Sequence, residues 1–231
     1  MDCFMRPGGL EITKKAFDIC APRSPAKVLD IGCGRGDTAA YLTRERGFDV
    51  IGMDISAKAV ASAKEKYPEL EFLEGDGEAL DFPSRTFDCV LMECSLSLIP
   101  NPIEAVHEAF CVLKESGALI IHDLYIPRPS REDMDTIRQT KESKTKKHEG
   151  ACSEKREPEH TINGALILND IYAELAELGL EIILFEDRGP DLADFAASLI
   201  FEGADLENYC RVDKDGPKPS YFLLIAKKRP V

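Results

Sequence analysis

No run of about 18 consecutive apolar residues occurs in this 231-residue chain, so no segment has the hydropathy expected of a membrane-spanning helix. The N-terminus, MDCFMRPGGLEITKK, has no apolar core of the kind a secretion signal needs. None of the eight cysteines are paired as C-x-x-C, which removes the usual signature of zinc ribbons and redox dithiols. Eight are also too sparse for a disulfide scaffold, so reduced thiols packed as small hydrophobes are expected. Positive charge is short as well. The 29 Lys and Arg stand against 42 Asp and Glu, and a net charge of −13 disfavours an electrostatic grip on a phosphate backbone. The deficits together lead us to expect a cytoplasmic protein with neither a membrane nor a nucleic-acid partner.

The chain is rich in the material of a core. With 44% apolar and 31% charged residues it suits one globular domain, or one domain carrying an insertion. From residue 26, short β-branched apolar runs alternate with helical patterns, the sign of a parallel sheet with helical crossovers. Strands are predicted at 26–32, 49–54, 70–76, 87–94, 117–125, 181–187 and 221–228. Helices are predicted near 36–46, 56–66, 102–114, 164–180 and 190–204, and another follows a cap near Thr13. Ser56 is a suitable cap for the second, and Asn101-Pro102 opens the third. Residues 128–160 break the rhythm with nine Lys/Arg and eight Asp/Glu, so 127–163 reads as an insertion, either a solvated loop or a lid. Residues 1–25 are expected to be a lead-in with a helix, and 26–231 the domain.

The stretch VLDIGCGRGDTAAYL, 28–42, places a glycine turn after the first strand, where a ligand can approach the backbone and meet helix N-terminal N–H groups. The dinucleotide fingerprint G-x-G-x-x-G does not fit. The glycines are Gly32, Gly34 and Gly36, and Asp37 holds the slot of the third fingerprint glycine. Asp30 and Asp37 would place two carboxylates beside a pyrophosphate, and like charges there are costly. A nucleoside with no phosphate and a cationic amino-acid end suits Asp30 better.

In VLDIGCGRGD the chain resembles the first motif of class I methyltransferases, whose cofactor S-adenosylmethionine is such a ligand. Three further stretches agree. IGMDIS (51–56) places Asp54 where the family grips both ribose hydroxyls. LEGDGEALDFPSRTFDCVLM (73–92) places Asp76 to accept from the adenine amino group, with Gly77 and Glu78 shaping that pocket. EAFCVLKESGALIIHDL (108–124) is similar to the family's turn before strand five, although Cys111, Glu115 and Ser116 replace common choices. The resemblance spans about residues 26–125 and implies a Rossmann-like, doubly wound α/β fold. Its seven-stranded sheet would have an antiparallel last strand next to the fifth and the insertion after strand five. The implied cofactor-binding set is Asp30, Gly32, Cys33, Gly34, Asp54, Ile55, Asp76, Gly77 and Glu78, with Glu93 and Arg6 added.

The reactive side is expected at MECSLSLIPNP, 92–102, where Glu93 stands beside Cys94, Ser95 and Ser97. Glu93 is expected either to bond the cofactor's ammonium or a nearby N–H, or to bind the acceptor or serve as its general base. His122, Asp123 and Tyr125 end strand five on the same rim, whereas His107 falls inside an amphipathic helix. Arg6 is a candidate for the methionine carboxylate. Glu186 and Asp187 border the acceptor pocket or, for Asp187, cap a helix. No metal is implied, and a soft acceptor held by Cys94, Cys152 and Cys210 would need three thiols that the spacing does not bring together. The function expected is methyl transfer to a small-molecule acceptor. The alternatives are a cofactor-binding regulatory or assembly protein without turnover, and an NAD-dependent oxidoreductase.

Overall fold

A computed structural model describes residues 6–127, 160–162, 164–203 and 218–229. In chain order these form α1 (Gly9–Cys20), β1 (Lys27–Ile31), α2 (Asp37–Arg46), β2 (Asp49–Asp54), α3 (Ala57–Lys66), β3 (Glu71–Glu74) and β4 (Phe87–Glu93). A 3-10 turn at Leu96–Leu98 leads to α4 (Pro102–Val112), β5 (Leu113–Tyr125), β6 (Thr161–Ile162) and β7 (Ala165–Leu166). The remainder is α5 (Leu168–Glu177), β8 (Leu180–Asp187), α6 (Gly189–Phe201) and β9 (Ser220–Lys228).

The seven expected strands lie side by side in the order β3-β2-β1-β4-β5-β9-β8, with β9 antiparallel to both neighbours and the first five mutually parallel. Two short strands extend the sheet. β9 follows one edge of β5 as far as Tyr125, so β7, which pairs at that residue, takes the other edge beyond the point where β4 has ended. The little β6–β7 ribbon therefore continues the lane that β4 vacates. This corrects the single helix predicted over 164–180: Ala165 and Leu166 pair in the sheet, and the helix begins at Leu168. Most of the predicted insertion, 128–159, lies outside the described residues.

Strand periodicity sorts the core into two layers. Leu29, Ile31, Val90, Met92, Leu119 and Ile121 face α4 and α5, whereas Val28, Cys89, Leu91, Ala118 and Ile120 face α1, α2 and α3. α1 buries Ile12, Ala16 and Phe17 in that second layer. Ser56 and Asn101 cap α3 and α4 as expected, each accepting from a backbone N–H three residues on. Thr13 does not cap: Gly8 precedes the helix in a left-handed conformation, which leaves Thr13 in the second turn with its hydroxyl free for another use.

Gly36 closes the glycine turn at φ 78°, where an added Cβ would lie 2.4 Å from Cζ of Phe72. Gly36→Ala combines a left-handed backbone with overpacking and is expected to cost about 2–4 kcal/mol in urea unfolding. A loss below about 0.5 kcal/mol would mean that Phe72 swings clear.

Candidate active site

The site begins where β1, β4 and β5 end. Alternation along the strands puts Asp30, Glu93, His122 and Tyr221 on the face covered by α1 and α2, so four polar side chains share one buried layer. Glu93 is its hub. Its Oε1 accepts from the Thr13 hydroxyl at 2.6 Å and from His122 Nε2 at 2.6 Å. Its Oε2 accepts from the Thr38 hydroxyl at 2.7 Å and meets Arg6 Nη2 at 3.0 Å. Arg6 in turn donates to Thr38 at 3.1 Å and Thr13 at 2.7 Å. Burial opposes the charge on Glu93, but Arg6 and then His122 and Thr13 outweigh it and hold the carboxyl well below its ordinary range.

A carboxylate only accepts, so His122 Nε2 carries the proton. With a neutral ring, Tyr221 donates to Nδ1 at 2.8 Å, and the Cys94 thiol meets the Tyr221 oxygen at 3.1 Å. Burial pushes the Cys94 thiol up to about 12, so it is a hydrogen-bond partner, not a thiolate. Cys94 itself sits at φ 51°, a left-handed turn that redirects the chain into the 3-10 segment. Asp123 faces the opposite layer and accepts from the Ser97 N–H and hydroxyl, and Ser95 bonds the Ile31 carbonyl at 2.7 Å.

Asp30 contrasts with Glu93. It is 2% exposed, and its Oδ2 has no hydrogen-bond partner among the described residues. Burial, and then the nearby negative charge of Glu93, push its carboxyl well above the ordinary range. A carboxyl raised in this way contributes stability below its unfolded value of about 3.9 and loses it as pH rises through the folded value. Toward neutral pH the raised carboxyl is therefore a cost, and Asp30→Asn should raise the calorimetric unfolding temperature. A lowered temperature at pH 7 would contradict this.

The glycine turn lies beside Asp30. Gly34 stands at φ 54°, and a Cβ built there would meet nothing within 4 Å, so the turn opens onto free space at this residue. Its N–H donates to Asp54 Oδ2 at 2.9 Å, and the Ser56 N–H donates to Asp54 Oδ1 at 2.9 Å. One carboxylate thus joins the turn to the start of α3. The Gly32 and Cys33 N–H groups bond the Met53 carbonyl at 2.7 and 3.0 Å. Ile55 follows with 68% of its surface exposed, an apolar face on a polar rim. Asp76 accepts from the Glu78 N–H at 2.9 Å, Glu78 accepts from the Asn101 N–H at 2.9 Å, and Gly77 is buried against Ile99 and Ile31. These are the cofactor-binding candidates of the sequence, collected along one rim.

Some expectations change. Asp37 does not bring a second bare charge to the turn: Lys66 pairs with it and Tyr67 donates to it at 2.6 Å. Burial opposes its ionisation, but those two partners hold its carboxyl below the usual range. Arg6 is engaged by Glu93, Thr13 and Thr38. Glu93, saturated by four donors, is poorly suited as a general base in this arrangement. Asp187 accepts from the Gly189 N–H at 2.8 Å at the start of α6, and Glu186 binds Lys15 at 2.6 Å. His107 stands on the exposed face of α4 beside Glu104 and Glu108. Cys152 and Cys210 lie outside the described residues. Thr13, Thr38 and Tyr221 were not read as site residues, because nothing local marks a threonine or tyrosine that becomes polar only by meeting a distant carboxylate.

The parallel sheet with its antiparallel last strand and the glycine turn at the end of β1 make up the Rossmann-like α/β architecture of methyltransferase structures. A family model described as a methyltransferase domain matches residues 29–121. Demethylmenaquinone methyltransferase of Chlorobaculum tepidum is 36% identical over 115 residues, covering 50% of this chain and 48% of that protein. The chain spans about half the length of the curated relatives it matches first. Among solved structures, phosphoethanolamine N-methyltransferase 2 of Haemonchus contortus, in complex with S-adenosyl-L-methionine, superposes with a TM-score of 0.71 at 17% identity. The match covers 99% of this chain and 54% of that one. The cyclase SpnF has a TM-score of 0.67 at 19% identity, over 100% of this chain and 86% of that one. At these identities the structural likeness establishes the fold.

Proposed function

We propose that the chain transfers a methyl group from S-adenosylmethionine to a small-molecule acceptor. The observation that carries this reading is Asp30: a buried carboxylate with an unpartnered oxygen, beside a glycine turn that opens onto free space at Gly34. Such a group calls for a cationic donor, and the ammonium end of the cofactor is one. Asp54 would take the ribose hydroxyls, and Ile55, Asp76, Gly77 and Glu78 the adenine, with Gly32 and Cys33 forming the turn. Glu93 fits the role of an anchor, holding Arg6 so that its positive charge serves the methionine carboxylate. When bound, the cofactor supplies an electrophilic methyl group on a sulfonium, and the protein contributes alignment and a water-poor pocket.

Net acidity supports a small acceptor over a nucleic acid. No helix among the described residues is long and apolar enough to cross a membrane. The five described cysteines are unpaired, which supports a reducing compartment such as the cytoplasm. Calorimetry tests the reading. S-adenosylhomocysteine should bind with micromolar affinity, whereas binding of NADH with none of the homocysteine compound would overturn it. Release of S-adenosylhomocysteine in the presence of acceptors then separates an enzyme from a binder without turnover.

A further inference from the structure

We propose that His160 and Asp170 form the proton acceptor of the acceptor site, and that the acceptor is accordingly one whose reacting oxygen bears a proton, a phenol or enol. This rests on the methyl-transfer reading above. Three observations carry it: where the pair sits, how the ring is held, and what is left at its other nitrogen.

Glu93 pairs with His122, and β7 joins the same edge of β5 at Tyr125, three residues further on, or roughly 10 Å along the strand. The Ile126 N–H bonds the Leu166 carbonyl at 3.0 Å, and the Ile167 N–H bonds the His160 carbonyl at 2.8 Å. His160 is therefore fastened beyond the carboxyl end of β4, on the side of the sheet edge where ligands of open α/β sheets bind. It holds a left-handed backbone conformation, φ 58°, which the neighbouring ribbon must maintain.

The ring is held by one carboxylate. Nδ1 lies 2.5 Å from Asp170 Oδ2, and the His160 side chain is only 10% exposed. Asp170 belongs to the first turn of α5, a rigid element packed on the core. Because the carboxylate only accepts, Nδ1 carries the proton and a neutral ring keeps its lone pair on Nε2. Among the described residues Nε2 has no hydrogen-bond partner. A carboxylate that fixes the tautomer of an imidazole, leaving Nε2 open, is the arrangement of a general base and its orienting acid.

The step assigned to the pair is a proton transfer. The acceptor O–H bond breaks, its electron pair stays on oxygen for the methyl carbon, and the proton forms a bond to Nε2. The positive charge then sits on the imidazole opposite Asp170, and solvent removes the proton afterwards. Glu93 cannot take this role while four donors saturate it.

The test uses the full chain, 1,4-dihydroxynaphthalene as the hydroxyl probe and a tertiary amine as a probe with no proton to lose. His160→Gln should lower kcat with the diol by about 100-fold or more, with S-adenosylhomocysteine affinity within about twofold of wild type. Asp170→Asn, which alters a positioning residue, should lower kcat with little change in KM. With four histidines in the chain, the His160 Cε1–H resonance is identified by its loss in His160→Gln. It should shift when the diol is added to protein holding S-adenosylhomocysteine, and this readout decides if turnover is below detection. An unmoved resonance, a variant kcat within about threefold of wild type, or loss of S-adenosylhomocysteine affinity in either variant would overturn the proposal. Failure of the wild type to bind S-adenosylhomocysteine would instead overturn the methyl-transfer reading.

Discussion

Replacing Glu93 with Ala should lower the free energy of unfolding by about 3–5 kcal/mol, the largest stability effect expected of any polar substitution here. The side chain is 5% exposed and gathers Arg6 and Thr13 from the N-terminal segment, Thr38 from α2 and His122 from β5. Removing it leaves a buried guanidinium without its counter-charge and a buried imidazole N–H without its acceptor. The segment that brings Arg6 and α1 to the sheet loses its polar anchor, so the loss should appear with increased protease sensitivity near residue 6. Glu93→Gln keeps the shape and one acceptor and should cost less. A loss under about 1 kcal/mol for Glu93→Ala would show that apolar packing alone holds α1.

The same group carries a pH dependence with a defined sign. Its folded pKa lies below the ordinary glutamate value of about 4.3, so its contribution is complete above that value and is lost as pH falls toward the folded one. Wild-type stability should therefore decline more steeply below about pH 4.3 than that of Glu93→Gln, measured by urea unfolding. Parallel curves would mean that the charge on Glu93 is not held by Arg6 and His122.

Asp54→Ala should weaken S-adenosylhomocysteine binding by about 100-fold or more, because two hydrogen bonds to a charged acceptor are worth about 1.5–3 kcal/mol each. The effect on folding should be smaller. Asp54 is only half-buried, and the two N–H groups it now binds, from Gly34 and Ser56, stand near solvent. Affinity should thus collapse in calorimetry while the unfolding midpoint moves little. An unchanged affinity would mean that the ribose contact is misassigned.

The layers of the fold were legible because strand and helix periods are local. KVLDI and FDCVLME alternate faces whatever lies beside them, and Ser56 and Asn101 announce helix starts through their own side chains. The error at 164–180 has the same origin: GALIL has apolar residues that a helix or a strand can use, and pairing with Tyr125 decided for a strand. The turn at 32–36 and the acids at 30, 54 and 76 were legible too, since turn geometry and strand ends follow from residue type.

The polar layer was not legible. Cys94 meets Tyr221 across 127 positions, and Thr13 meets Glu93 across 80. The sequence by itself determined a doubly wound sheet, a glycine turn and a row of acids at the strand ends. Only the tertiary structure decided that Asp30 Oδ2 is left without a partner among the described residues while Glu93 takes four, that Asp37 is neutralised by α3, and that His160 is tied to the ribbon beyond the end of β4. The physical reason is that register and layer packing, set by the whole sheet, choose which charges meet, and a buried charge is governed by its neighbours more than by its own residue type.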